Sequence, residues 1–340
     1  MSAFPPCRPA AAPSTEFLKG QTMFHQPIAV LSRSFSQHAQ LRAELSARWS
    51  DIRFNDGDVT LSGDGLIDFL GGRERAIVAL ERVDRALLER LPDLRVVSKY
   101  GVGCDNIDLH ACAALNVRVG WTGGVNRLSV AELTLSLAVA ALRRVGEGML
   151  QIRGGGFKQL RGRQLSGRTV GIVGCGFVGT EVARLLQPYN CRILAHDIRD
   201  LAEYCAAFGA EAADLPTLLG ASDVVTLHLP STPATRHLID AAALASMRPD
   251  AVLVNTARGG IVDEAALGVA LSGGRLAAAA LDVFEVEPPV DTRLIQLPNV
   301  IVTPHIGGSS EEAVLAMGRA AIEGLETAGD PLDLVPPYLR

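Results

Sequence analysis

Three short stretches in the C-terminal half carry the residue types of proton transfer and acid recognition. They are NTARGG (255–260), DVFEVEP (282–288) and TPHIGG (303–308). A histidine such as His305 exchanges a proton near neutral pH, and a neighbouring carboxylate such as Glu287 fixes its tautomer and favours its charged form. An arginine such as Arg258 grips a carboxylate through two parallel hydrogen bonds. Singly, each has a plainer explanation: a strand-end cap, a solvated loop residue, a satisfied core histidine. Together they share one feature. Each lies just beyond an apolar run that reads as a strand, and the carboxyl ends of parallel strands converge on one crevice. Arg258, Glu287 and His305 are therefore candidate catalytic residues beside a cofactor.

The cofactor is suggested by GIVGCGFVG (171–179), which places Gly174, Gly176 and Gly179 in GxGxxG spacing between a strand-like run and a helical one. In such a loop the first glycine makes the tight turn. The second lets backbone approach a pyrophosphate, and the third lets helix and strand pack closely. The helix N-terminus offers free N–H groups and partial positive charge to phosphate. Asp197 ends the next strand candidate, 18 residues beyond Gly179. A carboxylate there accepts from ribose hydroxyls and repels a 2′-phosphate, which favours NAD over NADP. The nearby Arg199 softens that preference.

These residues need a scaffold of alternating strands and helices. Strand candidates are 28–31, 76–79, 94–98, 169–173, 192–196, 224–227, 251–255, 277–283 and 300–303, with helical stretches at 37–47, 83–91, 180–187 and 311–326. Such alternation predicts parallel sheets with crossover helices. A long apolar helix from Arg127 to Val145 should be buried between domains or subunits. The polar, glycine-containing stretch 153–167 reads as a surface connection.

Length and composition agree. At about 100–200 residues per domain, 340 residues make two domains. A net charge of −5 argues against a general nucleic-acid binder, which needs a basic surface. Six scattered cysteines, none in CxxC spacing, indicate no zinc or redox site and a reducing, cytoplasmic setting. No run reaches the ~20 apolar residues of a membrane helix. Residues 1–25 read as a disordered tail without a signal-peptide core, and Met23 is a candidate start.

With these motifs assembled, the chain resembles the D-isomer-specific 2-hydroxyacid dehydrogenases, in their phosphoglycerate-dehydrogenase-like branch. The resemblance spans about 28–326 and rests on SKYGVGCDNID (98–108), GGVNRLSVAELT (123–134), GIVGCGFVG, HLPSTPATRHLI (228–239), NTARGGIVDE (255–264), LDVFEVEP (281–288) and TPHIGGSS (303–310). It implies two Rossmann/flavodoxin-like α/β domains with parallel sheets. The cofactor domain (122–306) would be inserted into a substrate domain of 26–121 plus 307–340. It implies His305 as general acid/base, Glu287 as its partner and Arg258 as substrate anchor. Phe177 and Val178 would offer amides to the pyrophosphate, Asp282 would hold the nicotinamide carboxamide, and Leu229, Pro230, Thr256, Ala257 and Gly307 would line the cofactor site. The Val102–Gly103 backbone would bind the substrate carboxylate. A homodimer through the helix from Arg127 to Val145 is implied as well.

The chain departs from that pattern in places. Phe157 stands where relatives commonly have Trp. Val102 stands where phosphite-oxidising relatives have Lys, which argues against phosphite; Lys99 lies three positions earlier. The length after Glu326 leaves no room for a serine-sensing regulatory domain. The implied activity is NAD-dependent interconversion of a 2-oxo and a 2-hydroxy acid of the phosphoglycerate, hydroxypyruvate or glyoxylate type. The alternative is a non-enzymatic NAD-sensing protein resembling C-terminal-binding-protein corepressors, which share the Arg/Glu/His set.

Overall fold

The computed structural model describes residues 23–57 and 59–335; most of the expected N-terminal tail and the last five residues lie outside them. The first unit contains β1 (Ile28–Val30), α1 (Arg33–Gln37), α2 (Ala39–Ser46), β2 (Ile52–Phe54), α3 (Gly63–Leu70), β3 (Arg75–Val78), α4 (Arg85–Glu89), β4 (Val96–Lys99), α5 (Leu109–Ala114) and β5 (Arg118–Gly120). Next come α6 (Arg127–Leu142) and α7 (Val145–Arg153). The second unit follows with β6 (Thr169–Val173), α8 (Phe177–Leu186), β7 (Arg192–His196), α9 (Ala202–Phe208), β8 (Glu211–Ala212), α10 (Leu215–Ala221), β9 (Val224–Leu227), α11 (Ala241–Ser246), β10 (Val252–Asn255), α12 (Glu264–Ser272), β11 (Ala278–Leu281) and β12 (Val300–Val302). The last helix is α13 (Glu311–Thr327).

The strands form two sheets, ordered β2-β1-β3-β4-β5 and β12-β11-β10-β9-β6-β7-β8, with every pairing parallel. The first is the flavodoxin-like order. The second is the dinucleotide-binding order 3-2-1-4-5-6 with one strand added, and its order reverses between β6 and β9. Central strands are buried along their length, as β4, β9, β10 and β11 are here, because helices cover both faces of a parallel sheet. The aliphatic run that made these strands legible is the same one that buries them. Short strands β2, β5 and β8 lack such a run and escape a reading by pattern. No helix among the described residues is long and apolar enough to cross a membrane.

Two expected helices are broken where a residue changes the backbone path. The stretch 37–47 divides at His38, which ends α1 and whose imidazole accepts from the Leu41 N–H to start α2. The long helix stops at Leu142; Arg144 adopts a left-handed conformation (φ 56°) and α7 sets off anew. Val130, Ala131, Thr134, Leu137, Ala138, Ala141 and Leu142 of α6 are buried within this chain. No residue of α7 is, and it exposes Val145, Met149, Leu150 and Ile152.

After the second sheet the chain returns to the first, where α13 packs on β3, β4 and β5. Ser98 Oγ donates to the Ala321 carbonyl at 2.7 Å. The close approach needs glycine on both sides. A Cβ on Gly120 would overlap the Gly324 carbonyl, and one on Gly324 would overlap Ser98 Oγ. Gly120→Ala should lower the urea midpoint by an amount equivalent to about 1–3 kcal/mol, the usual cost of overpacking. An unchanged midpoint would show that α13 can retreat freely.

Candidate active site

The register of the second sheet aligns the site. His196, Val173, Leu227, Asn255, Leu281 and Val302 form one row across six adjacent strands. The next residue on each strand is Asp197, Gly174, His228, Thr256, Asp282 or Thr303. These groups emerge from one edge at the ~4.8 Å spacing of neighbouring strands. The sequence-predicted cofactor and catalytic residues are therefore gathered by topology, although they are spread over 132 positions from Gly174 to His305.

The three loop glycines have three different causes. Gly174 has φ 95°, and a Cβ there would meet the His228 carbonyl of β9. Gly176 precedes α8 with open space where its Cβ would be, and no side chain caps that helix. A Cβ on Gly179 would overlap the Gly174 carbonyl. An uncapped helix N-terminus beneath an open glycine fits a pyrophosphate. Phe177 is 58% exposed, beside Gly124, and Val178 packs into the core. Leu229 lies against Gly174, while the Pro230 carbonyl accepts from Thr235 Oγ1 at 2.7 Å. His228 is kept neutral by burial, which pushes it down to about 3; its Nε2 bonds Thr226 Oγ1 at 3.0 Å. The buried thiol of Cys175 is pushed up to about 12, so it fills space and does not react as a thiolate.

Asp197 is occupied more fully than expected. Its carboxylate accepts from the Cys175 N–H at 2.8 Å and pairs with the Arg199 guanidinium at 2.7 and 3.0 Å. Burial would raise this carboxyl, but Arg199 and the backbone donors outweigh it and hold it at about 2.

Asp282 is 1% exposed. One oxygen accepts from Thr303 Oγ1 (2.6 Å) and the Ile306 N–H (2.8 Å), the other from the Gly307 N–H (2.8 Å). This carboxylate shapes the loop that carries His305. His305 has φ 52°, a left-handed conformation that costs a non-glycine residue of order 1–3 kcal/mol and persists only where the surroundings impose it. Its N–H donates to the Asp282 carbonyl at 2.8 Å, and its Nδ1 pairs with Glu287 Oε2 at 2.7 Å. The other oxygen of Glu287 accepts from the Phe284 N–H at 3.1 Å. Nε2 of His305 has no partner among the described residues, so it is the nitrogen left for chemistry.

Arg258 reaches the first unit. Asn255 folds its turn, donating from Nδ2 to the Arg258 carbonyl (2.9 Å) and accepting from the Ala257 N–H (3.1 Å). Thr256 Oγ1 bonds Thr134 Oγ1 of α6 at 2.7 Å. The guanidinium donates from Nε to Asp105 Oδ2 (2.8 Å) and from Nη1 to the Ala257 carbonyl (2.7 Å). Its Nη2 occupies the space where a Cβ on Gly103 would lie. Arg258 of the second unit thus lies against Gly103 and Asp105 of the first. No hydrogen bond joins Arg258 to His305 or Glu287 among the described residues.

Three groups were not singled out as site residues. Asp105 faces Arg258 from a position that the sequence marks only as part of SKYGVGCDNID. Trp121 Nε1 donates to the Val102 carbonyl at 2.9 Å. Lys99, 6% exposed, donates to the Ala79 carbonyl and to Asn106 Oδ1 (2.7 Å). No group of three or more His, Cys, Asp or Glu among the described residues could hold a metal ion.

Comparison with known proteins adds a family. A model described as D-isomer specific 2-hydroxyacid dehydrogenase, NAD binding domain, matches residues 135–307. The hydroxypyruvate reductase of Thermotoga maritima is 38% identical over 247 residues, 71% of this chain and 80% of the relative. A D-3-phosphoglycerate dehydrogenase of Methanocaldococcus jannaschii is 39% identical over 248 residues, 72% of this chain and 47% of the relative. The chain spans about half the length of the phosphoglycerate dehydrogenases it matches. Among solved structures, a glyoxylate reductase from Paecilomyes thermophila superposes with a TM-score of 0.79 at 27% identity, covering 90% of this chain and 97% of that one.

Two outcomes follow from the site's electrostatics. Asp282→Asn should cost about 2–3 kcal/mol in urea, because hydrogen bonds to an ionised acceptor are lost and an amide N–H₂ faces backbone donors; a cost below about 0.5 kcal/mol would deny it that role. Burial lowers the Lys99 ammonium from 10.5 to about 8. Between those values the unfolded chain keeps a proton that the folded chain releases, so raising the pH favours folding there. Stability of the wild type relative to Lys99→Met should rise from about pH 8 to 10.5. A flat difference would mean the ammonium keeps its ordinary value.

Proposed function

The chain belongs to the D-isomer-specific 2-hydroxyacid dehydrogenases, and we propose that it catalyses reversible NAD-dependent hydride transfer between a 2-oxo acid and its D-2-hydroxy acid. One observation carries the reading: the His305–Glu287 pair leaves Nε2 available at the strand edge that also holds the glycine loop. The nicotinamide cofactor, when bound, gives or takes the hydride at substrate C2.

The chain's own residues do the rest. The Val102 and Gly103 N–H groups and Arg258 hold the substrate carboxylate. As negative charge grows on the carbonyl oxygen during reduction, His305 Nε2 donates its proton there. Glu287 accepts from Nδ1–H throughout, fixing the ring and offsetting the imidazolium charge. In oxidation neutral His305 takes the hydroxyl proton. Arg258 stabilises negative charge in both directions. The Phe177 and Val178 N–H groups would hold the pyrophosphate of the cofactor, and Leu229, Pro230, Thr256, Ala257 and Gly307 would line its site. Asp282 would hold the carboxamide through the lone pairs that its three loop contacts leave over.

NAD is favoured over NADP because Asp197 stands at the ribose end of β7. Arg199 already pairs with that carboxylate, so it must turn outward for the ribose hydroxyls to bind, and it limits the preference. The substrate is of the phosphoglycerate, hydroxypyruvate or glyoxylate type, in keeping with the names of the relatives above. We assign the substrate domain to 26–121 plus 307–340 and the cofactor domain to 122–306. The homodimer forms through α6, extended by the exposed apolar side chains of α7. A cytoplasmic setting fits the five described cysteines, all free thiols.

An NADH-oxidation screen across glyoxylate, hydroxypyruvate, phosphohydroxypyruvate and pyruvate, with NADPH in parallel, tests the reading. Turnover of at least one acid is expected, and binding of NADH without turnover of any would favour the corepressor-like alternative. His305→Ala should reduce turnover by ~100- to 10,000-fold, the range for a lost acid/base group. Near-normal turnover by a folded His305→Ala protein would overturn the assignment.

A further inference from the structure

The carboxylate anchor depends on the direction of one peptide plane. Among the described residues the N–H groups of Val102 and Gly103 have no acceptor, so they are free for an anion. A trans peptide sets its C=O and the following N–H in opposite directions. Whatever holds the Val102 carbonyl therefore aims the Gly103 N–H. The group that holds it is the Trp121 indole N–H, at 2.9 Å. Trp121 follows β5, where the chain leaves the first sheet for α6.

The indole is itself confined. Its benzo edge lies against Gly123, where the Phe177 ring also arrives; a Cβ on Gly123 would come within 2.6 Å of Trp121 and 2.8 Å of Phe177. Arg258 Nη2 lies against Gly103 of the same loop, and Asp105 and the Ala257 carbonyl hold the guanidinium. Gly101, with φ 127°, supplies a bend that L side chains rarely adopt. The loop is thus held at the Val102 carbonyl and at Asp105, with the Val102 and Gly103 N–H groups left without an acceptor.

We infer that Trp121 is a positioning residue of this anchor: its indole N–H, by holding the Val102 carbonyl, aims the Gly103 N–H at the substrate carboxylate. The inference rests on the 2-oxo-acid reading given above and adds a residue to it. Losing the bond frees the peptide plane to rotate, and carboxylate affinity falls in substrate and transition state alike. The signature is a raised KM for the acid with little change in kcat.

The test uses oxalate, an unreactive planar carboxylate, as probe. Calorimetric binding of oxalate to the NADH complex is compared for wild type, Trp121→Phe, and protein in which both tryptophans are replaced by benzothienylalanine. That analogue exchanges the indole N–H for sulfur at nearly constant shape. The other tryptophan, Trp49, is buried and its N–H has no partner, so Trp121 alone loses a bond. The analogue also covers the case in which Trp121→Phe fails to fold. Oxalate affinity and KM for the 2-oxo acid should each worsen about tenfold, the scale of one hydrogen bond. NADH affinity, Tm and kcat should stay within about threefold or a few degrees. Unchanged oxalate affinity in the benzothienylalanine protein would overturn the role of Trp121, and so would a wild type that binds no oxalate. Wild-type turnover is scored separately: weakened oxalate binding with no turnover of any acid would remove the reductase reading and leave the anchor standing.

Discussion

The buried carboxylate of Asp282 is the interaction on which the candidate site most depends. A charge removed from water is costly unless its lone pairs are met, and here three donors within five residues meet them. The result is a loop with one available shape. Thr303 and Ile306 converge on one oxygen and Gly307 on the other, which forces the chain between them into a tight arch. His305 sits in that arch with a positive φ. Its imidazole then meets Glu287, which leaves the same strand end as Asp282. One acidic residue thus supports the His305–Glu287 pair by satisfying its own hydrogen-bonding needs.

The sheet supplies the wider frame. A six-strand row in register brings residues that are distant in the chain to a common edge. Neighbouring strands also make the glycine loop narrow: Gly174 turns against the carbonyl of His228 because β6 and β9 are adjacent. The order reverses at this point, where helices leave to opposite faces and a crevice opens. The first unit reaches that crevice through the loop 101–105, which touches Arg258. Under the proposed function, substrate recognition would be divided between the two units, and the distance between them would enter directly into binding.

Much of this was legible because buried parallel strands are written in uninterrupted apolar residues. Such runs mark 169–173, 192–196 and 224–227 to the residue, and the polar groups that follow other runs made Arg258, Asp282 and His305 candidates. What was not legible is of two kinds. The strands β2 and β8 are two or three residues long, and β5 is bounded by Arg118 and Gly120, so no period develops. Helix breaks at His38 and Arg144 depend on single conformations that sequence pattern averages over. The second kind is contact between distant residues: Asp105 and Arg258 are 153 positions apart, and nothing local to either announces the other. The occupancy of Asp197 by Arg199 is local, yet the ribose role expected of Asp197 assumes a carboxylate free to accept.

Charge at the site follows from these pairings more than from the chain's total of −5. Under the proposed function Arg258 would anchor an anion, but Asp105 pairs with its guanidinium, and Glu287 lies beside His305. Lys99 lies beneath the loop with its donors turned inward to Ala79 and Asn106, so its charge acts at a distance and falls away above about pH 8. With so little net positive charge, an incoming carboxylate must be held mainly by directed donors. Two backbone N–H groups and one guanidinium edge suffice if they are aimed beforehand, since preorganised dipoles need not reorient when the ligand arrives. Under the proposed function that would place the burden of recognition on the geometry of 101–105, and so on the indole and guanidinium that contact the loop.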